Sequence, residues 1–119
     1  MIRGSVAFNE ARIPLTVIGN KELEVEAVVD TGFTSRLSLP PDIIHDLGLL
    51  WDSIERCTLA DGSQCIFDVY WAEIVWFGER RLIKVDEADI SPIIGMKLMQ
   101  DCELKMEVCQ GGLVTICKL

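Results

Sequence analysis

The stretch Ala27-Val28-Val29-Asp30-Thr31-Gly32-Phe33-Thr34 decides how this chain is read, because residues suited to a buried strand run straight into a carboxylate. Upstream, Glu22-Leu23-Glu24-Val25-Glu26-Ala27 alternates polar and apolar residues, the period of a strand with one wet face and one core face. The alternation closes into the apolar pair Val28-Val29. Asp30 follows at the strand's inner end, where a charge is costly unless it is paired or hydrogen-bonded. Gly32 lets the backbone turn sharply beside the carboxylate, and the hydroxyls of Thr31 and Thr34 can donate to neighbouring groups and hold a loop in one shape. An isolated Asp-x-Gly triplet is most often a turn whose Asp bonds its own backbone, so the surrounding chain must decide between a turn and a site.

Working outward, Ile2 to Phe8 and Arg12 to Val17 are short, β-branched runs separated by Asn9-Glu10, which predicts two strands joined by a turn. Gly19-Asn20-Lys21 is the next turn signal. Beyond Asp30, Arg36 to Leu39 resumes an extended pattern, and Pro40-Pro41-Asp42 opens a helix with Ile43, Ile44 and Leu47 on one side, ended by Gly48. His45 falls on the polar side of that helix, without partners for a metal or a triad. Trp51 to Ala60 predicts a strand. Ala60-Asp61-Gly62-Ser63 carries an Asp-Gly hairpin signature, and the return strand is Cys65 to Trp71. Glu73 to Phe77, a turn at Gly78 and Arg81 to Val85 predict a further hairpin. Tyr70, Trp71, Trp76 and Phe77 lack the basic setting of a base-stacking platform and are expected in the core or an interface. Met96 to Gln100 is expected to form one or two helical turns. Cys102 to Val108, a hairpin at Gln110-Gly111-Gly112 and Leu113 to Lys118 complete the chain. Many short strands with one or two small helices predict a compact β barrel or sandwich.

Composition narrows the function classes. A length of 119 residues with 50% hydrophobic content suits a single domain over 1–119 with a core of its own. No apolar run has the length needed to cross a bilayer, and Met1-Ile2-Arg3-Gly4 lacks the apolar region of a secretory signal, so the expectation is a cytoplasmic protein without a membrane partner. The five cysteines, an odd number without Cys-x-x-Cys spacing, predict neither a disulfide framework nor a zinc knuckle and are expected as buried thiols in strands. A formal charge of −8 argues against nucleic acid, whose phosphates require a basic face.

The segment Ala27 to Thr34, followed by Leu37-Ser38-Leu39-Pro40, resembles the catalytic loop of retropepsin-like aspartic proteases of the small, single-domain bacterial type. Pro92-Ile93-Ile94-Gly95-Met96 is similar to the hydrophobic-hydrophobic-Gly segment that packs behind that loop in the same family. Two such elements in this order, roughly sixty residues apart, are more specific than either alone, and the strand pattern extends the resemblance over nearly the whole chain. Phe33 departs from the small residue common at its position. The resemblance implies an all-β, acid-protease-like closed β barrel with one or two short helices and one lobe per chain. It implies Asp30 as the catalytic group, supported in its loop by Thr31, Gly32 and Thr34, with Ile93, Ile94 and Gly95 behind them. The hairpin at Ala60, Asp61, Gly62 and Ser63 takes the place of the flap over the substrate.

Peptide hydrolysis by aspartates needs two carboxyl groups sharing one proton. Asp30 is alone in its Asp-Thr-Gly setting, and Asp61-Gly62-Ser63 belongs to a hairpin turn, so one chain offers half a site. The resemblance therefore implies a homodimer with Asp30 of each protomer on the two-fold axis and an extended polypeptide as substrate. Neither a metal nor an organic cofactor is implied, because the carboxyl groups themselves activate the water. The alternative is a non-catalytic dimeric module that binds peptides or proteins on the same fold. Phosphate-binding loops of the actin and sugar-kinase type share Asp-x-Gly-x-Thr, but they need a longer, two-lobed chain.

Overall fold

The computed structural model describes residues 1–119. Strand β3 (Glu22–Val29) follows its alternation: Val25, Ala27 and Val29 are buried, while Glu22, Glu24 and Glu26 face water. Its antiparallel neighbour β2 (Glu10–Ile18) buries Ala11, Ile13, Leu15 and Val17 by the same two-residue period. Strand β1 (Ile2–Ala7) pairs with β2 through a turn at Phe8 and Asn9, both at positive φ, and its other edge takes β10 (Leu113–Lys118). Strand β9 (Cys102–Met106) then flanks β10.

The middle of the chain supplies β4 (Leu37–Leu39), helix α1 (Pro41–Asp46), β5 (Leu50–Thr58), β6 (Gln64–Trp76), β7 (Glu79–Glu87) and β8 (Ile93–Ile94). All ten strands form one sheet in the order β5-β6-β7-β4-β8-β3-β2-β1-β10-β9. A further pairing of β6 with β2 joins strands that stand far apart in that order, closing β2, β3, β8, β4, β7 and β6 into a ring. The expected closed, all-β barrel is therefore present, with β5, the distal part of β6, β1, β10 and β9 extending from it. A cluster of 22 buried apolar residues fills the interior, with Ile13, Val17, Leu37, Leu39, Ile74, Val85, Ile94 and Ile116 wholly out of water. Each such aliphatic side chain contributes about 2 kcal/mol by leaving water.

Several details depart from the sequence reading. Glu73–Trp76 is not a separate strand, because β6 runs for 13 residues and changes partners along its length, using its far end for β5 and its near end for β7 and β2. Met96–Gln100 makes consecutive turns instead of helix, which leaves α1 as the one α-helix. Adjacent Leu98 and Met99 both sink into the core there, and the Cys102 amide already donates to the Met99 carbonyl at 3.0 Å as the chain enters β9. The last strand before the final hairpin ends at Met106 instead of Val108. None of the five thiols is buried: Cys57, Cys65 and Cys109 are exposed and Cys102 and Cys117 half-exposed. Cys57 and Cys65 lie on the β5–β6 hairpin, which projects beyond the core, and Cys109 lies in the β9–β10 turn. Of the four aromatics, Trp76 is buried, Tyr70 and Phe77 pack against the core, and Trp71 is exposed beneath the Lys84 ammonium.

Candidate active site

Strand β3 ends at Val29 and delivers Asp30, half-buried, to the head of a tight loop. Three hydrogen bonds define the loop. The Asp30 amide donates to the Ile94 carbonyl at 3.0 Å, the Phe33 amide to the Asp30 carbonyl at 3.1 Å, and the Gly32 amide to Asp30 Oδ1 at 2.8 Å. The carboxylate is thereby oriented by its own loop. Thr31 and Thr34 are exposed. Their hydroxyls do not hold the loop in one shape as expected, because the backbone amides and the Asp30 carboxylate already satisfy one another. Gly32 keeps a negative φ; its constraint is the carboxylate, since a β-carbon there would stand 3.2 Å from Asp30 Oδ1.

The second sequence element lies directly behind this loop. Ile93 and Ile94 form β8, parallel to β3 at Val28 and Val29 and antiparallel to β4 at Ser38 and Leu37. Gly95 continues the contact: its amide donates to the Arg36 carbonyl at 2.9 Å, the Met96 amide to the Phe33 carbonyl at 2.8 Å and the Lys97 amide to the Ser35 carbonyl at 3.2 Å. A β-carbon on Gly95 would lie 2.3 Å from the Ser35 carbonyl oxygen and 2.4 Å from that of Phe33, so only glycine fits. Asp30, Gly32 and Phe33 on one side, and Ile94, Gly95 and Met96 on the other, thus form one hydrogen-bonded unit, with Ile93 beside Val28 and Thr31 and Thr34 exposed outside it.

A cleft of about 810 Å³ opens above Asp30. Its floor carries Asp30, Phe33, Ser38 and Ile93, and its opposite wall is the β5–β6 hairpin. Phe33 both lines the cleft and packs its ring against Gly95. The hairpin tip is a three-residue loop in which the Leu59 amide donates to the Ser63 carbonyl at 2.7 Å and the Gly62 amide to the Leu59 carbonyl at 3.0 Å. Asp61 Oδ1 accepts from both the amide and the hydroxyl of Ser63. Those bonds, the hydroxyl's first, hold the Asp61 carboxyl below the usual carboxylate range. Within one chain the predicted residues Ala60 to Ser63 lie beyond the cleft, whereas Leu59 and the hairpin arms, with Glu55, Cys57, Cys65 and Phe67, line it.

Among the polar residues of the cleft that sequence reasoning missed are Ser38 and Asp86. Ser38 is 3% exposed, and its Oγ has no hydrogen-bond partner. Asp86 pairs with it across β4 and β7. Burial pushes the Asp86 carboxyl above the usual range and the negative charge of Glu55 adds to this, while the Ser35 hydroxyl and Arg36 pull the other way. The signal available was Leu37-Ser38-Leu39, a polar residue inside an otherwise apolar strand.

No family model and no curated protein matches this sequence. Among solved structures, the chain is similar to the EIAV protease in complex with an inhibitor, at 19% identity and a TM-score of 0.58 over 81% of this chain and 93% of that one. It is also similar to the retropepsin-like aspartic protease from Rickettsia conorii, at 15% identity and a TM-score of 0.56 over 98% of this chain and 89% of that one. The chain has the retropepsin-like, all-β aspartic protease fold.

Proposed function

We propose that residues 1–119 act as one retropepsin-like domain, an aspartic endopeptidase that works as a homodimer with Asp30 as its catalytic residue. The observation that carries this reading is the position of Asp30: a half-buried carboxylate, oriented by the Gly32 amide, on the floor of a cleft walled by a projecting hairpin. Each protomer supplies one such carboxyl, and an isologous interface on a two-fold axis brings the identical groups together. Like charges at that distance cannot both ionise, so the pair shares a proton. One carboxylate takes a proton from water as the water attacks the scissile carbonyl, and the other, protonated, donates to the carbonyl oxygen.

The remaining loop residues position this pair. Thr31, exposed in one protomer, meets the partner loop across the axis, and Gly32 leaves room for the two loops to approach. Ile93, Ile94 and Gly95 hold the loop from behind and supply the rigidity that catalytic geometry demands. The β5–β6 hairpin, with Ala60 to Ser63 at its tip, covers an extended polypeptide bound as an added strand and excludes water from the cleft. Neither a metal nor an organic cofactor enters the chemistry.

Incubation with an unfolded protein from acid to neutral pH tests this reading, beside an Asp30→Asn variant matched for folding and oligomeric state. The expected result is cleavage by the parent with a bell-shaped profile on the acid side, falling by at least about a thousandfold in the variant. A well-folded dimer that binds peptide without cutting it would replace the protease with a peptide-binding module. Equal cleavage by parent and variant would remove Asp30 from the chemistry.

A further inference from the structure

Five carboxylates line the cleft, Asp30, Glu55, Asp86, Glu87 and Asp89, against the single guanidinium of Arg56. None of the five forms an ion pair within the chain; the pairs present use Glu10, Asp46, Glu22, Glu73, Asp52 and Glu103. Arg36 also acts on Asp86, so five carboxylates face two guanidinium groups, and the remaining negative charge in a walled cleft focuses the field there and favours a cationic guest.

The sheet shows where such a guest would sit. Leu37 and Leu39 are both wholly buried in the core, so Ser38 between them faces the opposite way, into the cleft. Its pairing partners, Ile93 on β8 and Asp86 on β7, share that face, and the row continues through Val69 on β6 to Ser53 on β5. Two residues along β5 from Ser53, Glu55 returns to the same face, opposite Phe67. Ser38 Oγ is out of water and without a partner in an otherwise well-paired strand. A buried hydroxyl left unpaired is costly, and this one lies one strand spacing, about 5 Å, from Asp86. An ammonium or guanidinium group presents several donors and no acceptor, which fits an acceptor hydroxyl beside the Asp86 carboxylate, with the Glu55 charge acting on Asp86 from the β5 side. No three of the acidic groups are gathered closely enough to hold a metal ion.

We propose that Asp86, Glu55 and the buried Ser38 hydroxyl form a cation subsite that takes a lysine or arginine side chain of the bound polypeptide. This deepens the protease reading, on which it rests, by naming a substrate class: extended polypeptides with a basic residue at one fixed position from the cut. Phe67 and Ile93 flank the subsite and take the methylene stem of the side chain.

The test maps cut sites in a random peptide library by mass spectrometry, for the parent and for Asp86→Asn and Ser38→Ala. Lysine and arginine are expected to be enriched at one position relative to the cut. The ratio of kcat/KM for a lysine peptide over its glutamine counterpart should fall about tenfold in Asp86→Asn and several-fold in Ser38→Ala. Ser38→Ala should also unfold at higher denaturant than the parent, because it removes an unpaired buried hydroxyl, so lost selectivity in that variant cannot be ascribed to lost folding. Binding of the lysine and glutamine peptides to the Asp30→Asn dimer supplies a readout independent of catalysis. Preference for lysine in binding with no cleavage by the parent would sink the protease and leave the subsite standing. Cleavage without basic enrichment, or enrichment unchanged in both variants, would overturn the subsite and leave the protease.

Discussion

Gly95 lies so close beneath Phe33 that a β-carbon on it would stand 2.4 Å from the Phe33 carbonyl oxygen and 2.7 Å from the ring Cδ2. The same β-carbon would stand 2.3 Å from the Ser35 carbonyl oxygen, and the Gly95 amide donates to the Arg36 carbonyl. Two backbone carbonyls cannot yield as a side chain would. Gly95→Ala should therefore destabilise the fold by about 3 kcal/mol, read as a lower urea midpoint. The surviving folded fraction should show altered amide shifts at Asp30 to Thr34. A variant with parental stability and an unchanged loop would refute this account of the Asp30 support.

The hairpin tip should loosen in acid. Asp61 has a folded-state pKa lowered from 3.8 by the Ser63 hydroxyl and amide. A depressed carboxyl contributes its stability above the unfolded value and loses it as pH falls through the folded one. Protection of the Ser63 amide, taken relative to its intrinsic exchange rate at each pH, should thus hold above 3.8 and be lost as pH drops below it, and Asp61→Ala should show little protection throughout. Ser63 protection that is indifferent to pH would contradict the bonding of Asp61 in the turn.

Asp86 has the opposite sign. Burial, with Glu55 second, raises its folded-state pKa above 3.8, so the cost of its charge is absent below that value and sets in as pH rises through the folded one. Asp86→Asn should be more stable than the parent at neutral pH by a few tenths of a kcal/mol, since solvent screening at this half-exposed carboxyl trims the effect. Below pH 3.8 the difference should vanish. Denaturant unfolding at the two pH values decides it, and a loss of stability at neutral pH would be the contrary outcome.

The thiols should separate by reactivity. Burial first and the neighbouring Asp101 charge second raise the Cys102 pKa, and the thiolate is the form that reacts. Exposed Cys57, Cys65 and Cys109 should be alkylated first, and Cys102 should label several-fold more slowly at neutral pH. Peptide mapping after timed alkylation gives the order directly. Labelling of Cys102 ahead of the hairpin thiols would be inconsistent with its surroundings.

Much of the architecture is legible in local patterns. The two-residue alternation of Glu22 to Ala27 and of Arg12 to Val17 specifies which faces are buried, because a strand's side chains point alternately and only one set reaches the core. Pro41 and Gly48 bracket α1 through backbone constraints that act within a single turn. The local signals mislead where a distant partner decides. Glu73 to Trp76 looks like a separate strand because sequence does not reveal that β6 serves β5, β7 and β2 in succession. The cysteines look like core residues because composition does not say that two of them ride on a hairpin projecting past the core.

By itself, the sequence determined that a strand would carry Asp30 to a glycine-bearing turn, that Ile93-Ile94-Gly95 would form a second element of matching type, and that the chain would be built of strands. Those properties follow from side-chain period, turn chemistry and backbone freedom, which operate over a few residues. Tertiary structure alone decided that Gly95 has no room for a side chain, that the hairpin arms instead of its tip wall the cleft, and that Ser38, Asp86 and Glu55 share one face of it. The reason is register: β4 pairs with β7 and β8, and which outward-facing residues find water and which find a cleft is settled by these pairings between segments far apart in the chain.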